Sequence, residues 1–336
     1  MRVYALRLAA VAIALLAVPN PPLRAADRIV YTIAPSEADP SVTHFPRSSV
    51  VVFDRAVSTQ APLLVFLPGT TGDPARVQLF LGKAADAGYR VISLSYDNEP
   101  AVMQACARDP DPGCGERFRQ SRLFGGFNTP PEEAIVGRLT KLLRRLDLNH
   151  PEEGWRAYLA NGAPDWPHIA VAGHSQGGGM AAMLAKRVPV ARVLLFSGPP
   201  DFVLPGREPA PWLATPSATP IDRWYGLYHG NEPLAPLLQR AYAALGLVPD
   251  HIRVVSLAPA AALTGPFDAY HVSVISDRLT PRAPDGSPAY AGDWAFCSGE
   301  AADARPDLPV PAIRGDFRVN CKGSSPLLRC FGLLYP

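Results

Sequence analysis

Residues 173–177 form the run Gly173-His174-Ser175-Gln176-Gly177, whose central serine carries a hydroxyl suited to nucleophilic catalysis. The apolar run 168–172 before it predicts a buried strand, and residues 177–188 after it, which begin with three glycines, predict a helix. The serine therefore occupies a sharp strand-to-helix turn that presents its hydroxyl at the carboxyl edge of a sheet.

The glycines of this run suit so tight a turn, because a side chain two positions on either side of the serine would clash. The N-terminus of the helix beneath the serine also favours developing negative charge. A Gly-rich nucleotide loop is the alternative interpretation, but the run contains neither Gly-x-Gly-x-x-Gly nor Gly-Lys-Ser/Thr. The pattern thus predicts Ser175 as the nucleophile.

Short β-rich runs alternate with helical ones along the chain. Continuous apolar strands between helices are typical of a parallel sheet covered on both faces, so we predict an α/β fold with a mostly parallel central sheet and helices on both faces. The predicted strands are 29–33, 49–53, 63–67, 90–96, 168–172, 191–196, 224–228 and 253–257, and the predicted helices are 76–88, 129–146, 177–188 and 234–245.

The first residues have the pattern of a signal peptide. Arg2 and Arg7 precede an uncharged apolar run that is too short for a membrane span, and small residues follow a Pro-rich break. We predict a signal peptide over 1–25, with an uncleaved anchor as the alternative. The protein is then exported, periplasmic or secreted, and its mature chain has no stable membrane span.

Residues 26–336 are predicted to form a single domain. The segment at about 97–128 is too long for a simple connection and is interpreted as a loop insertion that forms a lid or rim. The residues from about 280 onward are rich in Pro, Gly and Ala without periodicity, which favours a C-terminal wrap on the domain surface.

Charge and cysteine content exclude several classes of partner. The formal net charge is +2, and it becomes −1 without the leader, which carries three arginines and no acidic residue, so nothing favours binding to nucleic acid. Export makes disulfides plausible, and Cys106 and Cys114 are the first predicted pair. The partners of Cys297, Cys321 and Cys330 stay open. No CxxC pair or close Cys/His cluster indicates a metal site.

With its elbow, strands and helices in this order, the chain resembles the α/β-hydrolase family of lipases and esterases over roughly residues 50–280. Among its members, the chain is most similar to secreted bacterial proteins of undefined substrate. The resemblance implies a Ser-acid-His triad in that chain order, an acyl-enzyme intermediate and no cofactor.

The resemblance places the general base in a loop after the last strand. His271 follows the last predicted strand, whereas His229 ends a strand and His251 precedes one. A serine becomes a strong nucleophile when a neutral imidazole takes its proton. We therefore predict His271 as the base.

The resemblance places the acid after the strand before the last one, which corresponds to Glu232 in the turn Asn231-Glu232-Pro233-Leu234. The turn differs from the family pattern in two ways, because Glu replaces the commoner Asp and one residue is missing. Asp201 is the competing acid, since some members carry it after the preceding strand. Asp268, close to His271, is interpreted as a turn cap.

An oxyanion hole needs backbone N–H donors near the nucleophile. The amide of Gln176, directly after the serine, is one predicted donor. By resemblance, the amide of Thr70 in the loop after strand 63–67 is the second. Aromatic residues are further candidates for an acyl pocket, although each equally suits ordinary packing: Phe124, Phe127, Trp155, Trp224 and Tyr270.

These residues predict a carboxylic ester hydrolase acting on a small-molecule or polymeric ester. The same triad also serves a peptidase, a polyester depolymerase or an acyltransferase, and the fold does not choose among them. A non-catalytic binding protein on this fold is a further alternative, against which the intact serine, histidine and glycines argue.

Overall fold

The computed structural model describes residues 27–203, 206–264 and 268–301. Its main element is an eight-stranded sheet in the order β1-β2-β4-β3-β5-β6-β7-β8. The strands are β1 (Arg28–Ile33), β2 (Ser49–Asp54), β3 (Leu63–Leu67), β4 (Arg90–Ser93), β5 (Ile169–His174), β6 (Arg192–Phe196), β7 (Trp224–His229) and β8 (Ile252–Val255).

The sheet is mostly parallel. Strand β2 runs antiparallel to both β1 and β4. The six strands β3 to β8 run parallel to one another. The carboxyl ends of these six strands therefore meet at one edge of the sheet. The predicted α/β fold with a mostly parallel sheet is confirmed.

Helices cover both faces of the sheet. Side chains alternate along each strand, so the two faces contribute to two separate hydrophobic cores. One core packs against α5, α6 and α7, and the other against α2 and α9. The helices are α1 (Pro35–Ala38), α2 (Gln78–Asp86), α3 (Val102–Ala105), α4 (Cys114–Phe124), α5 (Ile135–Asn149), α6 (Gln176–Arg187), α7 (Ala235–Leu245), α8 (Ala269–Ser273) and α9 (Ala291–Ser298).

The segment 97–128, predicted as a loop insertion, contains α3 and α4. The disulfide between Cys106 and Cys114 links the end of α3 to the start of α4, so this predicted pairing is confirmed. Helix α4 contacts both α5 and α6. Much of the segment is therefore helical and lies against the helical layer.

Several helices differ from the sequence prediction, which did not include α1, α3, α4 or α8. Helix α5 begins at Ile135 and not near residue 129, because Ala134 before it has an extended backbone with φ −69° and ψ 153°. The side chain of Glu133 accepts hydrogen bonds from the amides of Thr43 and His44. Helix α9 was not predicted, yet its Trp294 is fully buried against Phe80.

The predicted leader and the residues after 301 lie outside the described residues, as do Cys321 and Cys330. Within the described part of the chain, no helix is both long enough and apolar enough to cross a membrane. Cys297 is buried in α9, where desolvation raises the pKa of its thiol to about 12.

Candidate active site

Ser175 lies in the turn between β5 and α6, as the sequence predicts. Its backbone has φ 54° and ψ −117°, a conformation that a residue with a side chain adopts only when its surroundings enforce it. One enforcing contact is the hydrogen bond from the Ser175 amide to the carbonyl of Phe196 at the end of β6, at 2.8 Å. The strained turn leaves the serine side chain half-buried at the carboxyl edge of the sheet.

Two glycines of the run are required by close backbone contacts. A Cβ atom at Gly173 would lie 2.2 Å from the carbonyl oxygen of Gly177, and one at Gly177 would lie 1.9 Å from the carbonyl oxygen of Leu67. Both distances are far below any real carbon–oxygen contact. Helix α6 can therefore approach β3 and β5 this closely only with glycine at both positions.

His271 and Glu232 form a buried pair. The ring nitrogen Nδ1 of His271 is hydrogen-bonded to Oε2 of Glu232, and both side chains are at least nine-tenths buried. An ionised carboxylate only accepts hydrogen bonds, so Nδ1 carries the proton and the opposite ring nitrogen, Nε2, is the basic atom. The other carboxylate oxygen, Oε1, accepts from the Ser197 hydroxyl at 2.7 Å and from the His229 amide at 3.0 Å.

These hydrogen bonds keep Glu232 ionised. Burial alone would raise the pKa of its carboxyl, but the hydrogen bond and charge of His271, together with the donors Ser197 and His229, outweigh it and lower the pKa below its ordinary value. The carboxylate is thus held in the form that can stabilise a charged imidazole.

The backbone of His271 is fixed from two directions. Asp268 caps α8 and accepts a hydrogen bond from the His271 amide at 3.1 Å, which agrees with its interpretation as a turn cap. His174, next to the serine, has its Nε2 2.9 Å from the His271 carbonyl, and the two rings lie 4.8 Å apart. Burial, and then the charge of His271, lower the pKa of His174 to about 3, so His174 is neutral. No sequence pattern predicted this contact.

The competing histidines have structural partners. Nε2 of His229 lies 2.8 Å from the Leu257 carbonyl, and its Nδ1 accepts from the Asn231 amide at 3.0 Å. His251 stacks on Tyr225. Neither one lines the cavity that contains Ser175.

Asp201 is paired with an arginine rather than with His271. Its carboxylate accepts two hydrogen bonds from the guanidinium of Arg119, one of them from Nε at 2.7 Å, and a third from the Trp212 indole at 3.0 Å. Both members of the pair are buried. The structure thus brings Glu232 to the histidine and pairs Asp201 with Arg119.

The two predicted oxyanion donors lie on either side of the serine. Gln176 is the first residue of α6, so its amide has no partner within the helix. Thr70 follows Gly69, at which a Cβ atom would lie 3.2 Å from Cβ of Ser175, so the loop and the serine are adjacent. The loop is held by the Tyr96 hydroxyl, which donates to the Pro68 carbonyl at 2.7 Å.

A cavity of about 680 Å³ opens over the serine. Ser175, His271 and Thr70 all line it, together with apolar side chains that the sequence analysis did not select: Phe66, Val77, Leu263, Val272, Ile275 and Leu279. The aromatic candidates lie elsewhere. Trp155 and Trp224 are fully buried core residues, and Phe127 is exposed.

A possible group of metal ligands among the described residues consists of His150, Glu152 and Glu153. Glu153 already accepts hydrogen bonds from the Tyr31 hydroxyl and the Trp155 indole, both at 2.6 Å. None of the three lines the cavity with Ser175.

The strand order and the sharp turn between β5 and α6 are those of an α/β-hydrolase fold. No known family profile and no curated protein matches the chain. Many solved structures show partial similarity to it, among them the following three. A putative dienelactone hydrolase from Klebsiella pneumoniae is 9% identical, with a TM-score of 0.40 over 81% of this chain and 98% of its own. Esterase B from Lactobacillus rhamnosis, inhibited by a tributyrin phosphonate, is 15% identical, with a TM-score of 0.44 over 81% and 86%. Thermogutta terrifontis esterase 2, phosphorylated by paraoxon, is 12% identical, with a TM-score of 0.38 over 68% and 82%. Similarity at this level carries nothing about the reaction.

Proposed function

We propose that this protein is a serine hydrolase that cleaves carboxylic esters through an acyl-enzyme on Ser175. The observation that carries the proposal is that the strained Ser175 and His271 line the same cavity, and that Nδ1 of His271 is paired with the buried Glu232. A serine at an elbow, an imidazole and an ionised carboxylate in this order are the components of nucleophilic acyl transfer.

In the proposed reaction, Nε2 of His271 removes the hydroxyl proton of Ser175 while Oγ attacks the ester carbonyl carbon. The amides of Thr70 and Gln176 stabilise the negative charge on the carbonyl oxygen, and Glu232 stabilises the imidazolium. The imidazolium then protonates the leaving alcohol. Water, activated by the same histidine, attacks the acyl-enzyme and releases the acid.

A fluorophosphonate probe, which phosphonylates activated serines, tests the nucleophile. We expect the wild-type protein to be labelled on the peptide that contains Ser175, and Ser175→Ala to remain unlabelled. Ser217→Ala is the matched control, because Ser217 hydrogen-bonds only to the backbone around the far end of α6, and it should label like wild type. A folded wild-type protein that does not react with the probe would overturn the proposal.

The substrate class is tested with a panel of acyl esters of increasing chain length, a polyester film, peptide substrates and an alcohol acceptor. The apolar part of the cavity lining favours turnover of esters with short or medium acyl chains, although charged side chains such as Arg47, Arg76 and Asp277 share that lining. Faster cleavage of peptides or polyester, or acyl transfer to the alcohol in preference to water, would instead support a peptidase, a depolymerase or an acyltransferase.

We also propose that the protein is exported. The leader pattern over residues 1–25 and the disulfide between Cys106 and Cys114 support this. Expression of the full chain in a bacterium, followed by N-terminal sequencing, should recover a mature protein beginning at Ala26 outside the cytoplasm. An intact N-terminus in the cytoplasmic fraction would contradict export.

A further inference from the structure

We propose that Arg119, held in place by Asp201, is a positioning residue. It fixes the main chain of Gln176 and so directs the backbone N–H of that residue toward the oxyanion. The inference rests on the proposed function, because it assigns a role within the same reaction. It also gives Asp201 a task different from that of the triad acid.

Arg119 reaches the elbow from α4. Its Nη1 donates a hydrogen bond to the carbonyl of Gln176 at 3.0 Å, while Nε and Nη2 bind the two oxygens of Asp201. The bidentate pair fixes the plane of the guanidinium, and Trp212 fixes the carboxylate in turn. The direction of the Nη1–H bond to Gln176 is therefore set by buried, hydrogen-bonded neighbours.

The first turn of α6 is shaped to admit this guanidinium. A Cβ atom at Gly179 would lie 2.2 Å from Cζ of Arg119 and 2.4 Å from both of its terminal nitrogens. A residue with a side chain at this position would push Arg119 away from Gln176. Gly179 lies four residues after the serine. The close contacts of the elbow require Gly173 and Gly177 but do not account for this third glycine.

The side chain of Gln176 is bound to the same segment. Its Oε1 accepts from the Val102 amide at 2.7 Å and from Arg122 at 3.0 Å, and its Nε2 donates to the Asn98 carbonyl at 2.7 Å. Gln176 is thus held at its carbonyl and at both ends of its amide group. The segment 97–128, predicted as a lid or rim, therefore contributes α3 and α4 contacts behind the elbow.

A small displacement of the backbone N–H of Gln176 should destabilise the transition state more than it weakens substrate binding, because the oxyanion forms only as the reaction proceeds. Complete loss of one oxyanion donor lowers kcat by about 10²–10³-fold. Displacement of a donor that is still present should cost less, about tenfold in kcat with KM nearly unchanged.

The test replaces both charges together in Arg119→Met/Asp201→Leu, since removing one partner alone would leave a buried unpaired charge. Steady-state kinetics with p-nitrophenyl butyrate give kcat and KM, and fluorophosphonate labelling gives the rate of attack by Ser175. We expect kcat and the labelling rate to fall about tenfold and KM to stay within about twofold. The control is Arg138→Met/Glu133→Leu, another buried ion pair, which contacts α5 and not Gln176. Its kcat should equal that of wild type.

Gly179→Ala is the second variant, and it decides the question if the double variant does not fold. Alanine favours the helix over glycine, so a tenfold fall in kcat must come from displaced Arg119 rather than from a weakened α6. The proposal is overturned if both folded variants keep wild-type kcat, or if the control loses kcat equally. A wild-type protein that neither labels nor hydrolyses the ester would instead refute the proposed function.

Discussion

Replacement of Glu232 by glutamine tests the assignment of the triad acid most directly. The substitution keeps the size of the side chain but removes its charge, and the amide can present an N–H to His271 and favour the wrong tautomer. Glu232 is 2% exposed, so solvent screens its charge poorly. Two unit charges about 4 Å apart interact by about 4 kcal/mol at an effective dielectric constant of about 20. Loss of that energy from the imidazolium-like transition state corresponds to roughly a 10³-fold fall in kcat.

The assay measures kcat and KM for p-nitrophenyl butyrate in wild type, Glu232→Gln and Glu133→Gln. Glu133 is the matched control, because it is also a buried, ion-paired glutamate, but its partner is Arg138. We expect only Glu232→Gln to lose the large factor, with circular dichroism showing both variants folded. If folded Glu232→Gln kept kcat within threefold of wild type, or if Asp201→Asn lost more, the assignment of Glu232 would be wrong.

Three further predictions concern the oxyanion loop, the elbow histidine and the disulfide. Thr70→Ala should keep activity and Thr70→Pro, which lacks the N–H, should lose about 10²-fold in kcat. The pKa of His174 is about 3 in the folded protein and near 6.5 in an unfolded chain, so the unfolded state gains protons first as the pH falls. Below about pH 6.5 this histidine should therefore lower the free energy of unfolding by up to about 1.4 kcal/mol per pH unit, and urea unfolding of His174→Gln should show a weaker acid dependence. Cys106→Ser/Cys114→Ser should lose roughly 2–3 kcal/mol by the same assay, because the disulfide closes a short loop. An equal acid response in His174→Gln, an inactive Thr70→Ala or an unchanged unfolding midpoint in the cysteine variant would contradict these expectations.

The elbow could be predicted from sequence because most of the residues that shape it are nearby along the chain. The strand before Ser175, the glycines around it and the helix after it all lie within residues 168–188. The close contact of Gly177 with the Leu67 carbonyl joins residues distant in sequence, and the sequence explained this glycine only by the tight turn.

The lining of the cavity could not be predicted in the same way. Val272 lies on α8 and Ile275 lies just after it, and both line the cavity. Helix α8 is too short to leave a periodic pattern. Its position also involves the pairing of His271 with Glu232, which are distant in sequence. Aromatic residues such as Trp155 were reasonable candidates by size, yet size does not reveal which face of the sheet a side chain occupies.

The partner of Asp201 also lay beyond the sequence. Arg119 is 82 positions away on α4. The position of α4 depends on its contacts with α6 and not on any local sequence pattern. Helix α9 was missed for a similar reason, since the contact of its Trp294 with Phe80 joins residues far apart in sequence.

The two buried carboxylates differ in what their partners can do. The guanidinium of Arg119 takes no part in proton transfer, so its interaction with Asp201 is the same before, during and after a reaction. The imidazole of His271 becomes charged only when it takes a proton, so its attraction to Glu232 strengthens as that proton is transferred. Only an interaction that is stronger in the transition state than in the ground state accelerates a reaction. Glu232 can therefore contribute to the chemical step through its charge, whereas Asp201 can contribute only through the geometry that it maintains around Gln176.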